Sequence, residues 1–168
     1  MLLGEPGSGK NHLALQICEL KLQRRRVKGR LVQVSCATLR GPQALAMLFG
    51  QRRSATGIAG PERSGLLREA DGGVLFLDEI DALEPDAQAL LQQAIETGRY
   101  YPLGSDAEAT SRFQVIASAT GDLGRLVAMG RLRPDLFALL HQWTFDLPPL
   151  RDRRGDIAAN ISHQRAQA

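Results

Sequence analysis

Gly4-Glu5-Pro6-Gly7-Ser8-Gly9-Lys10 stands between an apolar Met1-Leu2-Leu3 and a stretch of helical periodicity, and its reading decides the fold. Glycines at positions 4, 7 and 9 let the backbone turn tightly and aim its N–H groups at one point. A helix beginning directly afterwards adds its positive end, and together these make a cradle for phosphate. Lys10 would then reach the β- and γ-phosphates of a nucleotide. The Ser or Thr that usually follows this lysine, and gives magnesium a hydroxyl, is replaced by Asn11, whose side-chain carbonyl is a poorer substitute. The competing reading is an ordinary Gly-rich connection from strand to helix.

A second segment weighs against that alternative. Val74-Leu75-Phe76-Leu77 is a short continuous apolar run preceded by Asp71-Gly72-Gly73, the profile of a strand buried on both faces of a parallel sheet. It ends in Asp78-Glu79. A carboxylate where such a strand meets a ligand crevice can hold hydrated Mg²⁺, and its neighbour can orient and polarise an attacking water. An acidic pair that merely caps the next helix is the bland alternative, but it leaves the phosphate loop unexplained.

The bulk properties are those of one globular α/β domain. The chain has 168 residues, 43% of them hydrophobic and 23% charged. No apolar run approaches membrane-spanning length, and the phosphate loop so near Met1 leaves no room for a leader, so a cytoplasmic location is expected. Cys18 and Cys36 form no Cys-x-x-Cys pair and read as small buried residues in a reducing compartment. His12, His141 and His163 have no ligand-like spacing. The net charge of +3 is concentrated in Lys21, Arg24, Arg25, Arg26, Lys28 and Arg30. That cluster suits either a solvated helix end or electrostatic contact with nucleic acid, and the lack of interleaved aromatic residues favours the first.

Along the chain, Leu13, Ile17 and Leu20 predict a first helix ending near the basic cluster and Gly29. Leu31 to Cys36 predicts a strand and Pro42 to Phe49 a short helix, while Gly50 to Pro61 lacks periodicity and reads as an exposed loop. Ala87, Leu90, Leu91, Ala94 and Ile95 mark an amphipathic helix, with Pro85 near its start and Gly98 just past its end. Arg99 to Pro102 reads as a short extended piece before a turn at Gly104-Ser105-Asp106. A strand at Gln114 to Ala117, a helix at Leu123 to Met129 and a last strand at Trp143 to Leu147 complete an alternation that implies a parallel sheet covered on both faces. The first strand, about three residues against a usual five or six, and a helical pattern at Asp156 to His163 with little to pack on read as a chain cut from something larger.

Taken together, these segments resemble the AAA+ domain of the bacterial enhancer-binding proteins, ATPases that remodel RNA polymerase carrying sigma-54. The residues that carry the likeness are Gly4 to Lys10, Val34 to Ala37, Leu48-Phe49-Gly50, Ala70 to Ile80, Arg131 to Leu136, and Leu147 to Arg154. Cys36 to Gly41, Tyr100 to Asp106 and Trp143 to Leu150 look most like the branch of that family that regulates RNA-repair operons. The resemblance implies a P-loop NTPase fold, a three-layer α-β-α sandwich with a mostly parallel sheet. Residues 1–150 would form the nucleotide-binding subdomain and 151–168 the start of a helical lid that is largely missing. It also implies ATP and Mg²⁺ as cofactors, a homo-oligomeric ring, and sigma-54 polymerase as partner. Gly4, Glu5, Pro6, Gly7, Ser8, Gly9, Lys10 and Asn11 would cradle the nucleotide, Asp78 would hold magnesium and Glu79 would orient water. Thr120 aligns with the family's γ-phosphate sensor, and Arg133 with one of two arginines that approach a neighbouring subunit's nucleotide.

Departures from the family pattern follow the route from hydrolysis to polymerase. The contact loop reads Ser54-Ala55-Thr56-Gly57-Ile58-Ala59 where the family has Gly-Ala-Phe-Thr-Gly-Ala. Ser35 stands for the Asn that couples Glu79 to that loop, Thr120 for the sensor Asn, and Leu139 for the second arginine. No regulatory domain and no DNA-binding helix-turn-helix are expected within this chain. The expected function is an ATP-binding module of a sigma-54 activator with impaired hydrolysis. Its rival is a decaying relative that acts as a non-hydrolysing nucleotide-binding or interaction module, and a small-molecule kinase is a weaker third.

Overall fold

The computed structural model describes residues 1–52, 62–153 and 155. In chain order the strands and helices begin with β1 Leu2–Leu3, α1 Lys10–Gln23, β2 Leu31–Ser35, α2 Gly41–Phe49 and α3 Leu66–Glu69. They continue through β3 Val74–Asp78, α4 Pro85–Thr97, β4 Arg99–Tyr100, β5 Ala109–Thr110 and β6 Gln114–Ala119. Then come α5 Leu123–Ala128, α6 Pro134–Leu140 and β7 Phe145–Asp146.

Five strands form a sheet in the order β2-β3-β6-β1-β7, and every pairing in it is parallel. The apolar run of β3 is fully buried and alternates between two cores. Val74 and Phe76 pack with Ala14 and Cys18 of α1 on one face, while Leu75 and Leu77 pack with residues of α2, α3, α4 and α6 on the other. This is the three-layer, doubly covered sheet that the continuous run predicts, since a strand with one wet face would alternate with polar residues. Outside the sheet, β4 pairs antiparallel with β5.

Helix ends follow local chemistry. Pro85 opens α4, and Gly98 closes it at φ 70, a conformation that costs glycine little. Several expectations need correction. On α1, Ala14 and Cys18 are buried against the sheet with Leu13 and Ile17 partly buried beside them, as expected for the last two, whereas Leu20 is 49% exposed. On α4, Leu90 faces outward and Gln88 is buried in its place. Strand β2 stops at Ser35 and Cys36 begins a short 3-10 turn. The last strand narrows to Phe145–Asp146 because β7 is an edge strand paired only with the two-residue β1. The contact loop at Ser54 to Ala59 and the helical pattern at Asp156 to His163 lie outside the described residues.

Candidate functional site

Parallel register brings one end of four strands to a common edge. Ser35 of β2 is opposite Asp78 of β3, Leu77 is opposite Ala117 of β6, and Leu3 of β1 is opposite Ala119. The phosphate loop therefore leaves β1 beside the point where Thr120 leaves β6, at the carboxyl ends of the strands. Open parallel sheets bind their ligands in that place.

The loop itself has left-handed glycines at Gly4 (φ 153), Gly7 (φ 79) and Gly9 (φ 91). At Gly4 space is also limiting, since an added Cβ would sit 2.7 Å from Ser8 Oγ and 2.8 Å from Leu147 O. Lys10 is 6% exposed and its Nζ donates to Gly4 O at 2.8 Å and to Glu5 O at 2.9 Å. Ser8 Oγ is buried and, among the described residues, has no hydrogen-bond partner. From outside, Arg151 makes a two-pronged pair with Glu5 at 2.6 and 2.8 Å, and Arg153 Nη2 donates to Ser8 O at 2.8 Å. Pro6 and Asn11 are exposed at the rim.

Across the edge, Ser118 ties the acidic pair together. Its hydroxyl donates to Asp78 Oδ1 and accepts the Glu79 N–H at 3.1 Å. Glu79 adopts φ 58, ψ 53, a left-handed conformation that a non-glycine residue holds only when its surroundings impose it, and such strain clusters at functional sites. Ser35 Oγ donates to Glu79 Oε2 at 3.1 Å, so the shorter side chain at this position still reaches the carboxylate. The neighbouring Cys36 thiol is pushed up to about 12, first by burial and then by the charges of Asp78, Asp81 and Glu79.

The structure thus gathers Gly4 to Lys10, Asp78, Glu79 and Thr120 along one edge and leaves Arg133 out of that group. Arg133 caps the start of α6, exposed, with its guanidinium on Asp135 at 2.6 and 3.1 Å. That pair raises the affinity of Arg133 for its proton and holds Asp135 below the usual carboxylate range. Leu139 lies half-buried on the same helix. Sequence reading missed Ser118, whose signal was a lone hydroxyl in a buried apolar strand. It also missed Gln88. Fully buried, Gln88 donates to Leu83 O at 2.7 Å and Arg131 O at 2.9 Å and accepts the Arg133 N–H at 2.9 Å, so it fixes where α6 begins.

These groups fit a magnesium nucleotide. The buried Ser8 hydroxyl, the left-handed glycines and an ammonium folded onto its own loop are ready to exchange internal contacts for phosphate oxygens. Among the described residues, no three His, Cys, Asp or Glu side chains converge to hold a metal unaided. Magnesium needs less, since it commonly takes one or two carboxylates and completes its shell with phosphate oxygens and water.

Residues 1–146 match the family model described as "Sigma-54 interaction domain". The transcriptional regulatory protein RtcR of Escherichia coli is 49% identical over 164 residues, which cover 98% of this chain and 31% of that protein. The C4-dicarboxylate transport transcriptional regulatory protein DctD of Rhizobium meliloti is 36% identical over 168 residues, all of this chain and 36% of that protein. The chain therefore spans about a third of the length of these curated relatives. Crystal structures of NtrX from Brucella abortus superpose closely. The complex with ATP does so at a TM-score of 0.82 and 25% identity, over 97% of this chain and 36% of NtrX. The complex with ADP gives 0.81 and 27%, over 99% and 35%. The chain belongs to the sigma-54 interaction domain family, the domain of sigma-54-dependent transcriptional regulators, and has the P-loop fold of the AAA+ ATPases.

Proposed function

We propose that this chain is the nucleotide-binding module of a sigma-54-dependent transcriptional activator and that it binds Mg·ATP at the carboxyl edge of its sheet. The carrying observation is the juxtaposition of the phosphate loop with an acidic pair held by Ser118 and Ser35. In this reading Gly4 to Gly9 present N–H groups to the phosphates and Lys10 moves from the Gly4 and Glu5 carbonyls onto the β- and γ-phosphates. Asp78 would hold the ion, which neutralises charge on the transferring phosphoryl group. Glu79 would orient and polarise water, Ser35 would steady Glu79, and Thr120 would lie against the terminal phosphate. Residues 1–150 would form the nucleotide-binding subdomain, 151–168 would begin a lid, and a cytoplasmic ring of copies would present Arg133 to a neighbour's nucleotide and engage sigma-54 polymerase.

Hydrolysis is proposed to be slow because Leu139 cannot stabilise charge in the transition state, and engagement of sigma-54 polymerase to be weak because Thr56 replaces an aromatic in the contact loop. Whether Arg133 serves as the finger or as a sensor of nucleotide state decides how slow. The second reading, a module that binds nucleotide without turnover, is favoured by the exposed pair that commits Arg133 to Asp135.

Melting curves with and without nucleotide test binding. At about a hundred times Kd, Mg·ATP or Mg·ADP should add about 2.7 kcal/mol of stability, and Lys10→Ala should abolish the shift. No shift for the unaltered chain at saturating nucleotide would overturn the reading.

A further inference from the structure

The chain leaving β7 folds back over the outside of the phosphate loop. Phe145 N–H donates to Met1 O at 3.0 Å and Leu147 N–H to Leu3 O at 2.8 Å, which lays β7 beside the strand that enters the loop. Pro148 and Pro149 then end the ladder, since neither has an N–H to give it. A short 3-10 turn at Leu150–Asp152 follows and carries Arg151 and Arg153 to the loop. Arg151 grips the Glu5 carboxylate with both ends of its guanidinium, at 2.6 and 2.8 Å. Arg153 is braced by its own chain, with Nε donating to Pro148 O at 3.0 Å, while Nη2 donates to Ser8 O at 2.8 Å. The two arginines form a clasp on either side of Pro6 and Gly7.

The bond to Ser8 O has an effect beyond the atom on which it ends. Ser8 C=O and Gly9 N–H belong to one planar trans peptide and point in opposite directions. With the carbonyl held outward by Arg153, the Gly9 N–H is turned away from Arg153, and among the described residues nothing accepts it. Gly9 is also the residue from which α1 starts, at φ 91, and its own carbonyl takes the Leu13 N–H at 3.0 Å. Both of its peptides are therefore fixed, one by the helix and one by the clasp. A guanidinium on the carbonyl oxygen also polarises the peptide and makes the N–H at its other end a stronger donor.

We propose that Arg153 is a positioning residue for phosphate, acting through the Ser8–Gly9 peptide to aim and strengthen the Gly9 N–H, with Arg151 steadying the other end of the loop at Glu5. This role depends on phosphate binding at the loop, the reading proposed above. Direct contact of the two arginines with phosphate fits the geometry less well, because their guanidinium groups are engaged on Glu5, Pro148 and Ser8. A tie that serves folding alone fits less well too. Arg151 is 66% exposed, and pairs at such positions contribute little to stability.

The test joins proton–nitrogen correlation spectra of the intact chain to its affinities for Mg·ADP and magnesium pyrophosphate. Without ligand, Arg153→Met should move the Gly9 amide proton upfield as its donor weakens. Arg153→Lys should return part of that shift, since one ammonium cannot brace on Pro148 O and hold Ser8 O as the planar fork does. With ligand, Arg153→Met should raise Kd about tenfold for Mg·ADP and pyrophosphate alike, the size of one charge-assisted hydrogen bond. Arg151→Met should weaken both ligands less and hardly move Gly9. Melting without ligand should change little in any of these variants. Lys10→Ala removes nucleotide binding in the reading above but should leave the Gly9 response to Arg153→Met in place, so failure of the nucleotide site and failure of the clasp are told apart. A Gly9 amide that does not respond, affinities that survive Arg153→Met, or an equal loss from Arg30→Met, whose side chain is on Glu69 away from the loop, would each overturn the proposal.

Discussion

The acid-tipped edge of the sheet and the start of α6 hold their polar side chains by different means. At the edge, Asp78 and Glu79 are placed by strand register, by the buried Ser118 hydroxyl and by Ser35. At α6, buried Gln88 fixes the backbone of Arg133, but the guanidinium itself lies at the surface on Asp135. The inner groups are part of what makes the chain fold, so altering them costs stability as well as chemistry. The outer ones act on whatever lies beyond the molecule and cost folding little when replaced. That asymmetry explains how an intact-looking phosphate and acid site can coexist with a leucine at position 139, where the family resemblance expects an arginine.

The largest expected effect is on turnover. An arginine finger contributes roughly 10³ to 10⁵ in kcat, so a phosphate-release assay on this chain should read near background with little dependence on protein concentration. Leu139→Arg should recover part of the rate in a chain extended beyond residue 168. Vigorous cooperative turnover from the unaltered chain would erase the contrast between the two regions. Next comes Ser118→Ala, which strips a buried donor from Asp78 and the acceptor from Glu79 N–H and should cost about 2–3 kcal/mol in urea denaturation. Ser35→Ala removes one partly buried bond to Glu79 and should cost about 1 kcal/mol. Arg133→Ala, in contrast, should leave the denaturation midpoint where it was, since exposed pairs add little.

The smallest effect is titration of the outer pair. Arg151 holds the Glu5 carboxyl below the usual carboxylate range, mainly through its hydrogen bonds. A depressed folded-state value means that the contribution is present at neutral pH and fades as pH falls through that value. Arg151→Ala should therefore slightly flatten the acid limb of a melting-temperature profile, and added salt should do the same to the unaltered chain.

What was legible in the sequence is what local chemistry dictates. The left-handed glycines of the loop, the uninterrupted apolar run of β3 and the Pro85 and Gly98 ends of α4 each announce themselves within a few residues. Ser118 and Gln88 do not, because their partners arrive from 40 and 43 positions away, once β3 pairs with β6 and α6 packs on α4. The short α6 was overlooked as a helix for a related reason. Seven residues beginning at Pro134 carry too little periodicity to be told from a turn, and it is burial of Leu136 and Leu140 that makes them helical. Leu20 misled because a hydrophobic residue at helical spacing is no proof of contact, and the small Ala14 and Cys18 let the helix approach the sheet.

Cys36 gives the sheet edge a reporter of its own. With its thiol pushed up to about 12, the reactive thiolate is scarce at pH 7, and the sulfur is sealed from solvent besides. An alkylating reagent must therefore wait for the end of β2 to open. Its labelling rate, set against that of a free thiol, measures the free energy of that local opening, and bound nucleotide should slow the clock by as much as it tightens the edge.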